Sequence, residues 1–509
     1  MFDKILIANR GEIALRILRA CRELGIKTVA IFSEADKEAL HTRYADEAHL
    51  IGSAEPSQSY LNIQRIIEIA KDSGSEAIHP GYGFLAQIPS FVQQCELYNI
   101  SFIGPSSQAL ELMSNKITAR LTMKKAGISI VPGSTLASAD EDEVRQVAEE
   151  IGYPILIKAV FGGGGKGLRV VKDSDEVDQG MELARLEAEA SFGKKQLYVE
   201  KLLERPRHIE FQILADEEGN VIHLGERECS IQRKHQKIIE ETPSPLMTRD
   251  KREEIGERAI RVARAANYIN AGTVEFLVDK DGNFHFLEMN TRLQVEHLVT
   301  EMVTGVDIVK EQIRIAAGEK LKYEQSDVTI NGHALNCRIN AEDPAKNFAP
   351  SPGTIADLHL PGGPGVRVDT GLYVGCKIPL VYDSLIAKIA TWGHDRHEAI
   401  QRMRNALREL FIEGVQTTTS FLREILMDET YQQGNIHTRF VEEWMAKQAL
   451  QSKNSAEDIA VLSAVLARYL LSRKEGRATI PSRSRAHISL WKISERREHL
   501  SKGGLRWIH

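Results

Sequence analysis

Residues 273–297 read TVEFLVDKDGNFHFLEMNTRLQVEH. Two runs rich in Val, Phe and Leu flank Asp281-Gly282, the pattern of a β-hairpin closed by a two-residue type I′ turn. Counting outward from Lys280 opposite Asn283 places Glu275 directly across from Glu288. Two such carboxylates repel by about 4 kcal/mol at ~4 Å and an effective dielectric of ~20, so a cation belongs between them. With Asn290 nearby, the pair suits a hard divalent ion, Mg²⁺ retaining waters and touching phosphate oxygens. Solvated acids on an exposed face are the plainer alternative, and the strongly apolar flanks weigh against it. If the strand runs on, Glu288, Asn290, Arg292, Gln294 and Glu296 share one face, which no apolar core accepts.

Upstream of this hairpin the chain alternates strand and helix. KILIA is a short apolar strand, GEIALRILRACRELG carries apolar residues at helical spacing up to Gly25, and KTVAIFS is the next strand. IIEIAKDSG reads as helix, EAIHP and SFIGPS as extended, so the first ~110 residues form a doubly wound α/β lobe. The helix ITARLTMKKAGI leads to VPGS, a break near residue 131 that hinges a small α/β unit: helix DEDEVRQVAEEIG, strand PILIKAV, loop FGGGGKG, strand LRVVKD. From about 204 to 447 strands and hairpins dominate.

At 509 residues and 42% hydrophobic composition, the chain divides into several lobes. No stretch approaches ~18 uninterrupted apolar residues and ILIA is too short for a signal core, so the expected address is cytoplasmic, without membrane association. Cys21, Cys95, Cys229, Cys337 and Cys376 lie far apart with no CxxC, which argues against both a disulfide framework and a structural zinc site. The net charge of −6 hides a basic tail: residues 451–509 hold 12 Lys and Arg against 5 Asp and Glu. That tail has no zinc finger or aromatic platform, so a helical partner-docking extension is expected rather than nucleic-acid binding. Within it, NSAEDIAVLSAVLARYLLSRKEG has a helical apolar stripe.

FGGGGKG formally satisfies GxGxxG, yet a strand follows it, which excludes a dinucleotide fold; Gly167 after Lys166 excludes a Walker A loop. A glycine hairpin closing over phosphates, with Lys158 and Lys166 supplying charge, and a merely flexible turn both remain open. ECSIQRKHQK gathers Gln232, His235 and Lys237; YVEKLLERPRH offers Glu200, Lys201 and His208. Alone, neither decides anything.

Together these motifs resemble the biotin carboxylase component of biotin-dependent carboxylases, an ATP-grasp family. The resemblance covers residues 1 to about 447, through KILIANRGEIA, HPGYGFL, FIGPS, KAVFGGGGKG, RHIEFQ, ERECSIQRKHQK, FLEMNTRLQVEH, HALNCRINAEDP, FAPSPG and YDSLIAKI. It implies an α/β fold with an N-terminal biotin carboxylase domain (1–114), an ATP-grasp domain (115–330) with a mobile lid at about 132–203, a C-terminal α+β domain (331–447), and a basic helical extension (448–509). It further implies that Lys116, Lys158, Glu200, Lys201, Leu203, His208, Gln232 and His235 hold ATP under a lid loop of Gly163, Gly164, Gly165, Lys166 and Gly167. Glu275, Glu288 and Asn290 would bind Mg²⁺ or Mn²⁺. Lys237, Arg292, Gln294 and the Val295 backbone would hold bicarbonate, Glu296 would be the base, and Arg338, with Tyr82 nearby, would stabilise the biotin enolate.

The implied reaction is carboxylation of biotin through carboxyphosphate, where a poor nucleophile meets a highly charged γ-phosphate; a base, a metal and several cations must therefore converge. After HPGYGFL the family usually continues Ser-Glu-Asn, whereas Ala86, Gln87 and Ile88 stand here. An acidic residue near Tyr82 is missing, and Gln87 can keep a hydrogen bond in its place. No Met-Lys-Met acceptor occurs, so biotin is expected on a separate carboxyl carrier protein, serving a separate carboxyltransferase, with the carboxylase itself a homodimer. An acyl-CoA carboxylase (acetyl-CoA or propionyl-CoA) is the first expectation and a two-subunit pyruvate carboxylase the second. Another ATP-grasp ligase and a degenerate scaffold are the rivals, disfavoured by RLQVEH with NCRINAEDP and by the retained charged residues.

Overall fold

Alternate residues of KILI face opposite ways, and this parity builds the first layer. In the computed structural model of the chain, which describes residues 1–134, 141–160, 168–193 and 196–449, Ile5 and Ile7 pack with Ile13, Ile17 and Ile313, while Leu6 and Ala8 pack with Val29, Ile31 and Ile66. Strands β1 (Lys4–Ile7), β2 (Lys27–Ser33), β3 (Glu47–Gly52), β4 (Ala77–His79) and β5 (Ser101–Phe102) form a parallel sheet in the order β3-β2-β1-β4-β5. Strand order reverses between β1 and β4, which opens a crevice beyond their carboxyl ends.

The helix expected at ITARLTMKKAGI spans Lys116–Lys125, capped by Asn115, whose side chain accepts from the amides of Ile117 and Thr118. A three-stranded antiparallel sheet follows, with β6 (Ile155–Ala159) between β7 (Leu168–Val171) and β8 (Leu197–Lys201). Helices Glu141–Ile151 and Val177–Phe192 contribute Val144, Ala148, Val177 and Met181 to its core. The glycine loop, residues 161–167, lies outside the described residues.

The largest layer is an eight-stranded antiparallel sheet. Its order is β13 (Phe284–Asn290), β12 (Asn270–Val278), β9 (Arg207–Ala215), β10 (Val221–Arg233), β11 (Gln236–Thr242), β14 (His333–Asn340), then strands Leu385–Gly393 and Val366–Thr370. Strands from before and after residue 330 pair in this one sheet, through β11 and β14, and Met1–Thr438 is one compact unit. A second unit, Arg439–His509, is described through residue 449 and is helical from 440; the helix expected over 454–476 lies outside the described residues.

Two local expectations are corrected. The 273–290 hairpin turns through Lys280-Asp281-Gly282, not two residues: Asp279 N–H donates to Asn283 O at 3.1 Å, and Gly282 takes φ +81°, the left-handed position a three-residue loop requires. That loop shifts the pairing to Val278↔Phe284 and Phe276↔Phe286, and a bulge at Leu287 shifts it back, so Glu275 does face Glu288. The strand also stops at Asn290. Residues 291–295 form a loop, and Glu296 is the N-cap of helix His297–Thr304.

Candidate active site

The four strands β13, β12, β9 and β10 bring one row of charges into register: Glu288 faces Glu275, Glu275 faces Glu210, and Glu210 faces Arg227. Adjacent carboxylates on neighbouring strands require cations. Arg227, wholly buried, donates from Nε to Glu210 at 2.5 Å and from its Nη atoms to Gln212, Thr300 and Thr273 at 2.8, 3.0 and 3.0 Å. Lys237 reaches in from β11 and its Nζ donates to Glu210, to Glu275 at 2.8 Å and to Glu296 at 2.7 Å. Burial alone would lower the lysine, yet these three carboxylates hold it well above the usual lysine range.

Glu296 is fully buried, and its second oxygen accepts from Arg338 Nη2 at 2.9 Å. Arg338 Nε in turn donates to Glu240 at 2.6 Å, which also accepts from Asn336 at 2.7 Å. Burial acts to raise Glu296, but Lys237, Arg338 and Arg227 override it and keep the carboxyl far below its ordinary range. The same balance holds for Glu275, where Lys237 and His208 outweigh burial. Both are ionised at neutral pH.

Arg292 differs from these cations. Its guanidinium donates to Gln87 Oε1 at 2.8 Å, Asn290 Oδ1 at 3.1 Å, and Gln294 Oε1 and Leu293 O at 3.2 Å, all neutral oxygens. Gln87 is fixed through Nε2 to Thr291 Oγ1 at 3.2 Å, so it keeps the hydrogen bond but brings no compensating charge.

A cavity of about 610 Å³ opens here, lined by Tyr82, Gln87, His235, Lys237, Asn290, Arg292, Gln294, Val295 and Arg338. The segments after β1 and β4, Asn9–Glu12 and Tyr82–Phe84, close its other wall, at the crevice where strand order reverses. Asn9 Nδ2 holds that wall by donating to Pro80 O and Tyr82 O at 2.7 and 2.8 Å. Gly81 between them has φ +63°, and a Cβ there would press on Ile13 and Asn9 at 3.0 and 3.1 Å.

Of the residues expected to hold a nucleotide, His235 lines this cavity, whereas Lys116, Lys158, Glu200, Lys201, Leu203, His208 and Gln232 do not. Glu200 accepts from Lys158 and from Arg120, each at 2.5 Å; burial would raise it, and the two cations lower it. Lys116, at the start of its helix, is lowered by burial. His208 joins the two halves: Gln232 Nε2 lies 2.7 Å from Nδ1 and Glu275 Oε2 lies 2.9 Å from Nε2. The ring therefore lies between the amide of Gln232 and the Glu275 carboxylate. Lys201 turns away, its Nζ donating to Gly152 O and Tyr153 O at 2.9 and 2.8 Å, and Leu203 is half-buried beyond the end of β8. His235 sits in the β10–β11 turn, where Lys234 and His235 both take positive φ, +49° and +64°. Gly163, Gly164, Gly165, Lys166 and Gly167 lie outside the described residues.

Sequence patterning alone does not single out Glu210, Arg227 or Glu240. The alternation in HIEFQ, which puts His208, Glu210 and Gln212 on one side of β9, is the available signal for the first.

Comparison with known proteins gives concordant matches. Residues 1–110 match the biotin carboxylase N-terminal domain, 115–324 the carbamoyl-phosphate synthase L chain ATP-binding domain, and 336–443 the biotin carboxylase C-terminal domain. A pyruvate carboxylase subunit of Methanothermobacter thermautotrophicus is 53% identical over 491 residues, covering 93% of this chain and 100% of its own length. A biotin carboxylase of Nostoc sp. is 55% identical over 442 residues, 87% of this chain and 99% of that one. The crystal structure of the Hydrogenobacter thermophilus 2-oxoglutarate carboxylase biotin carboxylase domain dimer, in complex with MgADP, ADP and bicarbonate, matches with a TM-score of 0.85 at 51% identity, over 87% of this chain and 98% of that chain.

Proposed function

This chain belongs to the biotin carboxylase family, and we propose that the 610 Å³ cavity is where bicarbonate and the ureido ring of biotin meet. The observation that carries this reading is Arg292. Lys237, Arg338 and Lys158 each face carboxylates, whereas the guanidinium of Arg292 is oriented by four neutral acceptors at the cavity wall. A cation positioned without being neutralised is an anion site, and a planar fork suits a planar oxyanion. Lys237, Gln294 and the Val295 backbone complete the bicarbonate set.

Glu296 is the base. Its proton affinity is held down by Lys237 and Arg338, and a bicarbonate oxygen that draws those cations toward itself raises the carboxylate's basicity as the substrate arrives. Arg338, relieved in part of Glu296, would stabilise the enolate oxygen of biotin, with Tyr82 also lining the cavity. ATP lies along Lys116, Lys158, Glu200, His208 and Gln232. Lys201 and Leu203 would contribute main-chain rather than side-chain contacts, since the Lys201 ammonium is occupied.

The donor set fits a hard divalent ion. Glu275 and Glu288 present oxygens from paired strands, and among the described residues Glu288 has no hydrogen-bond or ion-pair partner. Mg²⁺ or Mn²⁺ held there supplies charge neutralisation at the phosphate oxygens. Asn290 and Glu275 are already engaged, since Asn290 Oδ1 accepts from Arg292, its Nδ2 donates to Glu275 at 2.8 Å, and Glu275 Oε1 also accepts from Lys237 at 2.8 Å; a metal held there would have to displace part of this set.

The match to the M. thermautotrophicus pyruvate carboxylase protein covers 93% of this chain and therefore reaches beyond residue 450, whereas that to the Nostoc biotin carboxylase covers 87%. This favours a 2-oxo acid such as pyruvate as final acceptor over the acyl-CoA of the first expectation. Relatives matched over 98 to 100% of their own length support biotin on a separate carrier, with the carboxyltransferase on a partner chain. A homodimer is proposed by likeness to the H. thermophilus domain dimer. Among the described residues no helix is long and apolar enough to cross a membrane. The test is ADP release with Mg²⁺ and bicarbonate, with and without biotin, then with biotinylated carrier. Stimulation by either supports the reading, and absence of both refutes it.

A further inference from the structure

Beneath the cavity lies a lysine to which the sequence motifs assign no role. Lys388, in the strand Leu385–Gly393, has no exposed surface, although it sits directly opposite Arg338 on one neighbouring strand and Asp369 on the other. Its Nζ donates to the main-chain carbonyl of Val295 at 3.2 Å and lies 3.1 Å from Glu12 Oε2 and 3.9 Å from Asp369. The same nitrogen lies 5.6 Å from the centre of the Tyr82 ring. One buried ammonium therefore touches the helix after β1, the wall after β4 and the loop 291–296.

Asp369 alone does not explain the lysine, because Arg367 already holds that carboxylate in a bidentate pair at 2.8 and 3.0 Å. The contacts left to Lys388 are Glu12 and the carbonyl of Val295, which lies in a loop with no strand partners of its own. A charged donor to such a carbonyl fixes it more strongly than a neutral one.

We infer that Lys388 is a positioning residue which, from below, sets the loop carrying Arg292, Gln294 and Val295 relative to Tyr82, and so aligns the bicarbonate and biotin sides of the cavity. The inference rests on the assignment of that loop to bicarbonate. It places Lys388 in contact with neither substrate, so its loss should be felt through bicarbonate and not through ATP, since its contacts are with Val295, Glu12, Asp369 and Tyr82 and with none of the residues assigned to ATP.

The test is steady-state kinetics of bicarbonate-dependent ADP release by Lys388→Met, with its thermal midpoint and secondary structure recorded. The bicarbonate KM is expected to rise about tenfold, while the ATP KM stays within about twofold. Lys388→Met strands the buried Glu12, so if that variant does not fold, the Lys388→Met, Glu12→Gln double variant is measured against Glu12→Gln alone, with the same expectation. Burial already lifts Glu12 to about 7, so neutralising it is a mild change. An unchanged bicarbonate KM in a folded variant, or a parallel rise for ATP, overturns the inference. Wild-type protein that shows no bicarbonate dependence would instead remove the functional assignment on which it rests.

Discussion

Glu296→Gln removes one charge while keeping the shape of a wholly buried side chain, and the structure says why the rest of the site should survive it. Lys237 keeps Glu210 and Glu275, and Arg338 keeps Glu240. No buried cation is stranded, so the large penalty for breaking a buried pair does not apply. What is lost is the proton acceptor, and a positioned general base contributes roughly 10²- to 10⁴-fold, about 3 to 5 kcal/mol of barrier. Lys237, freed from one of three carboxylates, becomes a better partner for an anion, so the bicarbonate KM should hold or fall while kcat collapses. The assay is ADP release across a bicarbonate titration, paired with calorimetric nucleotide binding to the same variant. A kcat loss below about tenfold, or a loss of ATP affinity in step with it, refutes the assignment of Glu296 as base.

Arg292→Ala should raise the bicarbonate KM by about tenfold or more, the scale of one charge-assisted bidentate contact, with ATP binding unchanged in the same calorimetric assay. Glu288→Gln should shift the Mg²⁺ or Mn²⁺ concentration for half-maximal activity upward by about tenfold, read in a metal titration at saturating ATP; an unchanged requirement places the metal elsewhere. Burial depresses His41 to about 4 and His79 to about 3 from an ordinary value of 6.5. Both are neutral in the fold and charge first in the unfolded chain, so the stability they carry is complete above pH 6.5 and is lost as pH falls toward 4 and 3. Urea midpoints should drop steeply below pH 6.5, and less steeply in His79→Asn; equal slopes would count against a buried neutral imidazole.

Much of the architecture is written locally. The parity of KILI, the helical spacing of GEIALRILRACRE and the strand KTVAIFS appear at their expected residues because each depends on neighbours a few positions away. The pairing of Glu275 with Glu288 follows in the sequence from a turn one residue too short, and it holds in the fold because a bulge at Leu287 restores the register. Sequence spacing carries no mark of such a bulge. The roles of Arg227, Glu240 and Lys388 are illegible for a different reason. Each is a charge inside a strand whose partner sits on another element: Arg227 meets Glu210 across 17 positions, Lys388 meets Val295 across 93 and Arg338 meets Glu240 across 98. Strand alternation can flag a buried charge as unusual, but sheet order decides what it meets. The loop 291–296 reads as strand because its polar residues alternate, while its conformation is set by the helix it caps and by contacts from beneath.

The eight-stranded sheet has a practical meaning for anyone who would divide this chain. β11 and β14 are paired along Ile239–Thr242 and Ala334–Cys337, so a cut near residue 330 leaves two raw edges where a closed ladder had been. Exposed strands of that kind recruit other chains, and fragments made at the obvious sequence boundary should be adhesive rather than soluble modules. Arg338 and Glu240, hydrogen-bonded across the same seam, would be separated with it. The seam lies inside one continuous compact body, Met1–Thr438.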